Sequence, residues 1–198
     1  MSFRQELNSF WAPKAKPTDS APSISFQAPS SDRLRMPAAD GRPTVVTFLR
    51  HCGCPFAEKT FKALRAAAAQ SSDVRFVAVS HSDQGATERW LDAVGGSTGI
   101  EVIVDADRDL FAQWGLGVST LAHFLSPAGL WALYRLGKDE GIWNRPTESG
   151  NRWQTSGSFA VDNKGLVRWG GPMRQAGDIP NFEEALEMLK TGNSNQQR

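Results

Sequence analysis

The sequence predicts an α/β fold whose central sheet is parallel in its first half and antiparallel in its second. Three observations carry this reading. Short β-branched and aromatic runs alternate with helical periodicity from Val45 to Gly115. A strand–turn–strand signal follows at Ser158 to Trp169, and an amphipathic stretch comes after it at Asn181 to Lys190. The 198 residues suit one domain. Such a chain buries roughly 70 % of its unfolded surface, which removes the need for a disulfide framework or a structural metal. Charged residues are 22 % of the total and the net charge is +1, giving no drive toward nucleic acid or an anionic membrane. No apolar run approaches the ~20 residues of a membrane span. With Glu6 early and no apolar h-region, no secretory signal is expected. Two cysteines do not make a secreted scaffold. The expectation is a soluble, cytoplasmic protein.

The elements follow in order. Residues 1–31 read as a tail, partly disordered or docking, because Ala12 to Ser23 is rich in Pro, Ser and charge. The domain spans residues 32–190. Val45 to Leu49 is a buried strand bounded by Gly41 and Pro43. Pro55 opens a helix in which Phe56, Thr60, Ala63, Leu64 and Ala67 recur at helical spacing, and the alanine-rich run carries it to Gln70. Val74 to Ser80 is the second strand, Asp83 to Val94 a helix stopped by Gly95 and Gly96, and Glu101 to Asp105 the third strand. Asp105 and Asp107 read as a strand end and a helix N-cap rather than a metal box, leading into a short helix that Gly115 closes. A hairpin (Ser158–Asp162, then Leu166–Trp169) and the last helix complete the chain, and residues 191–198 read as a disordered tail. A βαβαβα half with right-handed crossovers followed by ββα is the order of a thioredoxin-like fold. Residues 116–153 exceed what a crossover needs and read as a helical, aromatic insertion, a lid.

The segment that carries chemistry is Arg50-His-Cys-Gly-Cys-Pro-Phe-Ala-Glu58. Both cysteines fall in the loop between the first strand and its helix. Cys54 precedes Pro55, so its sulfur meets the orphan N–H groups and positive dipole end of the helix, which favour a thiolate. Arg50 and His51 are expected as cationic neighbours. Cys52 is the candidate second sulfur. His51, His81 and Glu58 are candidate proton handlers; Glu58 stands one helical turn after Cys54, and His81 follows the second strand at the same sheet edge. No second Cys or His pair has ligand spacing, so no metal is expected. In the lid, Leu121, Phe124, Leu125, Trp131, Tyr134 and Leu136 crowd together, with Trp153 close by; a lid so apolar fits packing on the core and lining a pocket for an apolar small molecule.

From Arg33 to Leu189 the chain resembles the AhpC/TSA-type, peroxiredoxin-like branch of the thioredoxin superfamily. Gly53-Cys-Pro-Phe-Ala-Glu58 is similar to the segment around a peroxidatic cysteine, and Cys54-Pro-Phe-Ala57 to a glutaredoxin motif with Ala57 in place of its second cysteine. Ser158-Phe-Ala-Val-Asp-Asn-Lys-Gly-Leu-Val-Arg168 is similar to the family's Phe-hydrophobic-Asp-x-x-Gly hairpin. The layout also resembles the group containing prostamide/prostaglandin F synthase. The resemblance implies a thiol enzyme with no bound cofactor, an external reductant such as thioredoxin or glutathione, and at most a second copy of the chain as partner. His51 stands where the family has a peroxide-holding Thr or Ser. Ser156 stands where it has a peroxide-polarising Arg, for which Arg50 or Arg152 are the candidate substitutes.

Two reaction classes remain open at this stage. Cys54 attacks an apolar organic peroxide or endoperoxide and Cys52 resolves the intermediate, or Cys54 adds to an unsaturated small molecule in a non-redox isomerase or cyclase of secondary metabolism. A catalytically idle thioredoxin-fold binding module is the third reading. Arg50, Phe56, Phe124, Trp131, Trp153 and Ser156 are the candidate substrate contacts.

Overall fold

The structure is a computed structural model that describes residues 16, 18–119, 127–175 and 177–194. Five strands and five helices are described: β1 (Thr44–Phe48), α1 (Pro55–Gln70), β2 (Arg75–Ser80), α2 (Gln84–Ala93), β3 (Glu101–Val104), α3 (Asp109–Gln113), α4 (Pro127–Glu140), β4 (Gly157–Val161), β5 (Val167–Pro172) and α5 (Phe182–Ser194). They form one sheet in the order β3-β2-β1-β4-β5. β1 pairs in parallel with β2 and β2 with β3; β4 runs antiparallel to both β1 and β5. This is the thioredoxin-like arrangement expected from the element order. The last helix extends four residues beyond the expected boundary at 190.

The period-2 geometry of a strand sends alternate side chains to opposite faces, and β1 shows it directly. Val45 and Leu49 join a core with Phe61, Leu64, Trp90 and Leu189 on the side of α1, α2 and α5. Val46 and Phe48 join a second core with Phe111, Trp114 and Phe159 on the other face. Ring pairs such as Phe48–Phe111, at 5.1 Å and near-perpendicular, organise that second core. The central strand is thus buried on both faces, and its carboxyl end delivers the cysteine loop.

The stretch expected as a tail contributes to this second face. Ser25 and Ala28 donate backbone hydrogen bonds to Val167 and Gly165, and Val167 returns one to Phe26. Ala28, Leu34 and Met36 are buried in the same core. No described helix is long and apolar enough to cross a membrane.

Asp105 ends β3 and fixes α3. Its carboxylate is fully buried and accepts from the backbone N–H of Leu110 (2.9 Å) and Phe111 (3.2 Å), while Arg33 Nη1 donates at 2.8 Å. Asp105→Ala would remove two helix caps and leave the guanidinium without its carboxylate. We expect a loss of about 2–3 kcal/mol, read as a thermal midpoint lower by roughly 5–10 °C; an unchanged melting curve would contradict this role.

Candidate active site at the cysteine loop

Residues 49–54 make a tight path from β1 into α1. Leu49 N–H bonds to Val79 O (2.9 Å), which carries the strand direction past its end. Cys54 is the N-cap of α1 with extended backbone (φ −73°, ψ 126°), Pro55 follows it, and its own N–H donates to His51 O (3.1 Å). Pro at this position costs no helical hydrogen bond. Between the cysteines, Gly53 has φ +104°, and a Cβ there would stand 2.7 Å from Pro146 O. Only glycine combines that φ with so close an approach. The approach matters because Arg145 N–H bonds to Gly53 O at 2.9 Å. Residues 141–156 therefore cover the turn, and both cysteines are free thiols, buried at 4 % and 6 % exposure.

Cys52 occupies a nest of hydroxyls. Its N–H donates to Ser82 Oγ (3.0 Å), and its Sγ lies 3.6 Å from Ser80 Oγ and 3.9 Å from Thr87 Oγ1. Burial pushes the Cys52 thiol up, and the hydroxyl contacts only partly offset this. At rest this sulfur is a protonated thiol.

His51 is not the cation expected from its place in the chain, and neither histidine is charged. His51 is 1 % exposed, and burial, then the charges of Arg50, His81 and Arg152, holds it well below the usual imidazole range. Burial likewise lowers His81 to about 4, against which its contact with the carbonyl of Asn151 (Nε2 to O, 3.1 Å) acts only in part. Both rings are neutral at pH 7. The positive charge comes from two buried arginines instead: Arg50 Nη2 donates to Arg152 O, and Arg152 Nη2 to Thr147 Oγ1, each at 2.9 Å. These two are the arginines singled out as substitutes for the one replaced by Ser156, and folding brings them together.

Glu58 is also reassigned. Its carboxylate, 4 % exposed, receives Lys62 Nζ at 2.7 Å and Arg145 Nε at 2.9 Å. Burial alone would raise this carboxyl, but the bonds from Arg145 and Lys62 outweigh it and hold Glu58 below the usual carboxylate range. A carboxylate so held is a strap between α1 and the covering residues, not a proton handler.

Of the candidate substrate contacts, Arg50, Phe56 and Ser156 line one small cavity of about 10 Å³, together with Thr47, Thr60 and Ser158. That is room for about one water-sized group. Phe56 is also a wall of a wider groove of about 390 Å³, shared with Trp131, Leu136 and Ile179. Trp131 is 63 % exposed. Trp153 lines neither space; its carbonyl accepts from Ser119 N–H at 2.7 Å. Phe124 lies outside the described residues. Ser82, Thr87 and Arg145 were missed from the sequence. Only the clustering of polar residues at 80–87 and 144–152 hints at them, and it does not show which partners they meet.

The sequence profile of the AhpC/TSA antioxidant enzymes matches residues 60–175, beginning beyond the cysteine loop. Three solved structures superpose well. A thiol peroxidase from Chromobacterium violaceum gives a TM-score of 0.58 at 12 % identity, over 89 % of this chain and 91 % of that one. A cysteine-to-serine mutant of peroxiredoxin 6 of Arenicola marina gives 0.60 at 14 % identity, over 88 % and 75 %. The yeast mitochondrial 1-Cys peroxiredoxin gives 0.56 at 15 % identity, over 88 % and 78 %. At these identities the likeness shows the fold. No curated protein matches the chain by sequence.

Two outcomes check this account of the site. His81 titrates at about 4 when folded against 6.5 for an ordinary imidazole. The unfolded chain therefore binds more protons between these values, and stability is complete above pH 6.5 and falls as the pH drops toward 4. His81 alone should cost about 3 kcal/mol by pH 4, and His51 adds to it in the same direction. Melting curves of wild type and His81→Gln should show the flatter profile over this window in the variant, and equal slopes would contradict it. Glu58→Gln should lower stability by about 2 kcal/mol without moving the pH midpoint of cysteine alkylation; a shifted midpoint would restore Glu58 as a proton handler.

Proposed function

The chain belongs to the AhpC/TSA antioxidant enzyme family, and from that premise we propose that it is a thiol-dependent peroxidase for apolar organic peroxides or endoperoxides, with Cys54 as the attacking sulfur. The observation that carries this reading is the pairing of two spaces across Phe56. A water-sized pocket in which Arg50, Ser156 and Ser158 stand among apolar side chains shares Phe56 with a wide groove walled by Trp131, Leu136 and Ile179. That pairing fits a substrate with a small oxygen-rich head and a larger apolar body.

In the proposed reaction the Cys54 thiolate attacks one peroxide oxygen, the O–O bond breaks, and the alkoxide leaves as the alcohol after taking a proton. Arg50 supplies the fixed positive charge for the departing oxygen, a task neutral His51 does not perform. With a hydroperoxide, attacked at its terminal oxygen, Cys52 then attacks the Cys54 sulfenic acid, giving a disulfide and water; with an endoperoxide Cys54 carries a sulfenate ester, and Cys52 displaces the second hydroxyl to release the diol. An external dithiol or two monothiols return the pair to the reduced state. The thiol of the yeast neighbour is resolved through glutathione/thioredoxin systems, and the same reductant classes are proposed here. Position 156 lacks the usual arginine, and loss of one preorganised donor typically costs ~10²–10³ in rate. Hydrogen peroxide, which gains nothing from the groove, is then a poor substrate, whereas contacts along the groove orient a bulky one.

Turnover of cumene hydroperoxide and hydrogen peroxide with an external thiol tests this. Cys54→Ser should be inactive with both. Cys52→Ser should complete one turnover and stop at a sulfenic acid that a dimedone probe captures. Trp131→Ala should raise KM for cumene hydroperoxide several-fold while the rate of Cys54 alkylation stays constant. A hydrogen peroxide rate near ~10⁸ M⁻¹s⁻¹, indifferent to Trp131, would mark an ordinary peroxidase. Repeated turnover by Cys52→Ser without added thiol would mark non-redox chemistry.

A further inference from the structure

Cys52 faces a third space, separate from the two that Phe56 shares. A cavity of about 160 Å³ lies between the Gly53 turn, α2 and the covering residues, with Cys52, Ala86, Arg89, Trp90, Arg145 and Glu148 among its walls. Trp90 is 5 % exposed, and its indole N–H has no acceptor among the described residues, a state that buried donors seldom keep. Arg89 is paired with Glu148 at 2.5 Å, and Arg145 uses its Nε on Glu58. The walls thus bring together one sulfur, two guanidinium groups, the Glu148 carboxylate that holds Arg89, and an apolar side formed by Ala86 and the Trp90 ring, whose N–H is itself covered by protein. A carboxylate on a small body competes with Glu148 for Arg89 in such a set.

Building on the thiol-redox reading above, we propose that this cavity is where the reducing thiol enters: it receives a small monothiol bearing a carboxylate, whose sulfur attacks Cys52 rather than Cys54. A cavity of ~150 Å³ holds a molecule the size of benzene, so the space accommodates one cysteine-sized unit. In the first step the incoming thiolate bonds to Cys52 Sγ, the Cys52–Cys54 bond breaks, and Cys54 leaves as a thiolate. In the second step another thiolate attacks the incoming sulfur, a small-molecule disulfide departs, and Cys52 takes a proton. Two monothiols are oxidised and one protein disulfide is reduced. The direction of attack follows from the surroundings of each sulfur. Burial penalises Cys52 as a leaving thiolate, whereas Cys54 leaves at the positive end of α1. The approach along α2 also keeps the reductant out of the Arg50–Ser156 pocket, so substrate and reductant use opposite sides of the turn.

The test begins with the full chain oxidised by diamide to its internal disulfide. Reduction is followed with 3-mercaptopropionate, mercaptoethanol and cysteamine, each rate divided by its thiolate fraction. The carboxylated thiol should be about tenfold faster than the neutral one, and the cationic one slowest. Arg89→Ala should lower the ratio of anionic to neutral rates, and Glu148→Gln, which releases Arg89, should raise it. A collapsed cavity would move both variants the same way and would overturn the proposal, as would a ratio of one in the wild type. Acid-quenched mixed disulfide should carry mercaptopropionate on Cys52, and finding it on Cys54 would also overturn it. If diamide forms no internal disulfide, the redox pairing fails and the cavity is judged on Cys54→Ser. There, thiolation of Cys52 by dithiodipropionate should outrun thiolation by hydroxyethyl disulfide by a similar factor, and equal rates would sink the cavity as well.

Discussion

The contact between Arg145 N–H and Gly53 O, at 2.9 Å with no Cβ to intervene, is the constraint on which the site depends. It seats residues 141–156 over the cysteine turn. Once they are seated, further contacts come within reach: Glu58 receives Arg145, Ser82 donates to Ser149 O, Asp83 N–H donates to Ser149 Oγ, and His81 meets Asn151 O. Each is worth only about 1 kcal/mol in isolation, but all of them require the same backbone placement. That shared requirement makes the closure cooperative. A side chain at position 53 would strike the carbonyl of Pro146 and disturb them together.

Closure also sets the electrostatics. With the covering residues in place, His51 and His81 lose water and stay neutral, and Cys52 keeps its proton. The guanidinium groups of Arg50 and Arg152 remain charged when buried because arginine does not give up its proton in proteins. Fixed positive charge therefore sits behind the turn without depending on either histidine. The cost of burying those charges is lowered by hydrogen bonds to backbone and hydroxyl oxygens, such as Arg152 O and Thr147 Oγ1.

The same closure divides the space around the turn. On one side Phe56 separates the small Arg50–Ser156 pocket from the groove under Trp131. On the other, Cys52 borders the cavity against α2. Two sulfurs with a single residue between them thereby acquire different surroundings: an N-cap for Cys54 and a hydroxyl nest for Cys52. That difference gives a Cys-x-Cys pair two distinct tasks.

The sheet, its helices and the place of the cysteine loop were determined by the sequence itself. Their signals are local: β-branched runs at Val45–Phe48 and Arg75–Ser80, alanine-rich periodicity after Pro55, and the Asp162–Gly165 turn all act over a few residues. Asp105 was legible as a strand end, but the N-cap expected at Asp107 falls on Arg108, and the carboxylate that holds the first turn is that of Asp105. What surrounds the cysteines was decided only by tertiary structure. His51 looked cationic and Glu58 catalytic because only their neighbours in the chain were visible. Burial under distant residues changed the reading of His51, and Arg145, 87 residues away in the chain, changed that of Glu58. The N-terminal stretch that looked like a tail gained its order from Val167, at the far edge of the sheet. Protonation depends on burial, and burial depends on which distant segment covers a group. Periodicity along the chain carries no record of that.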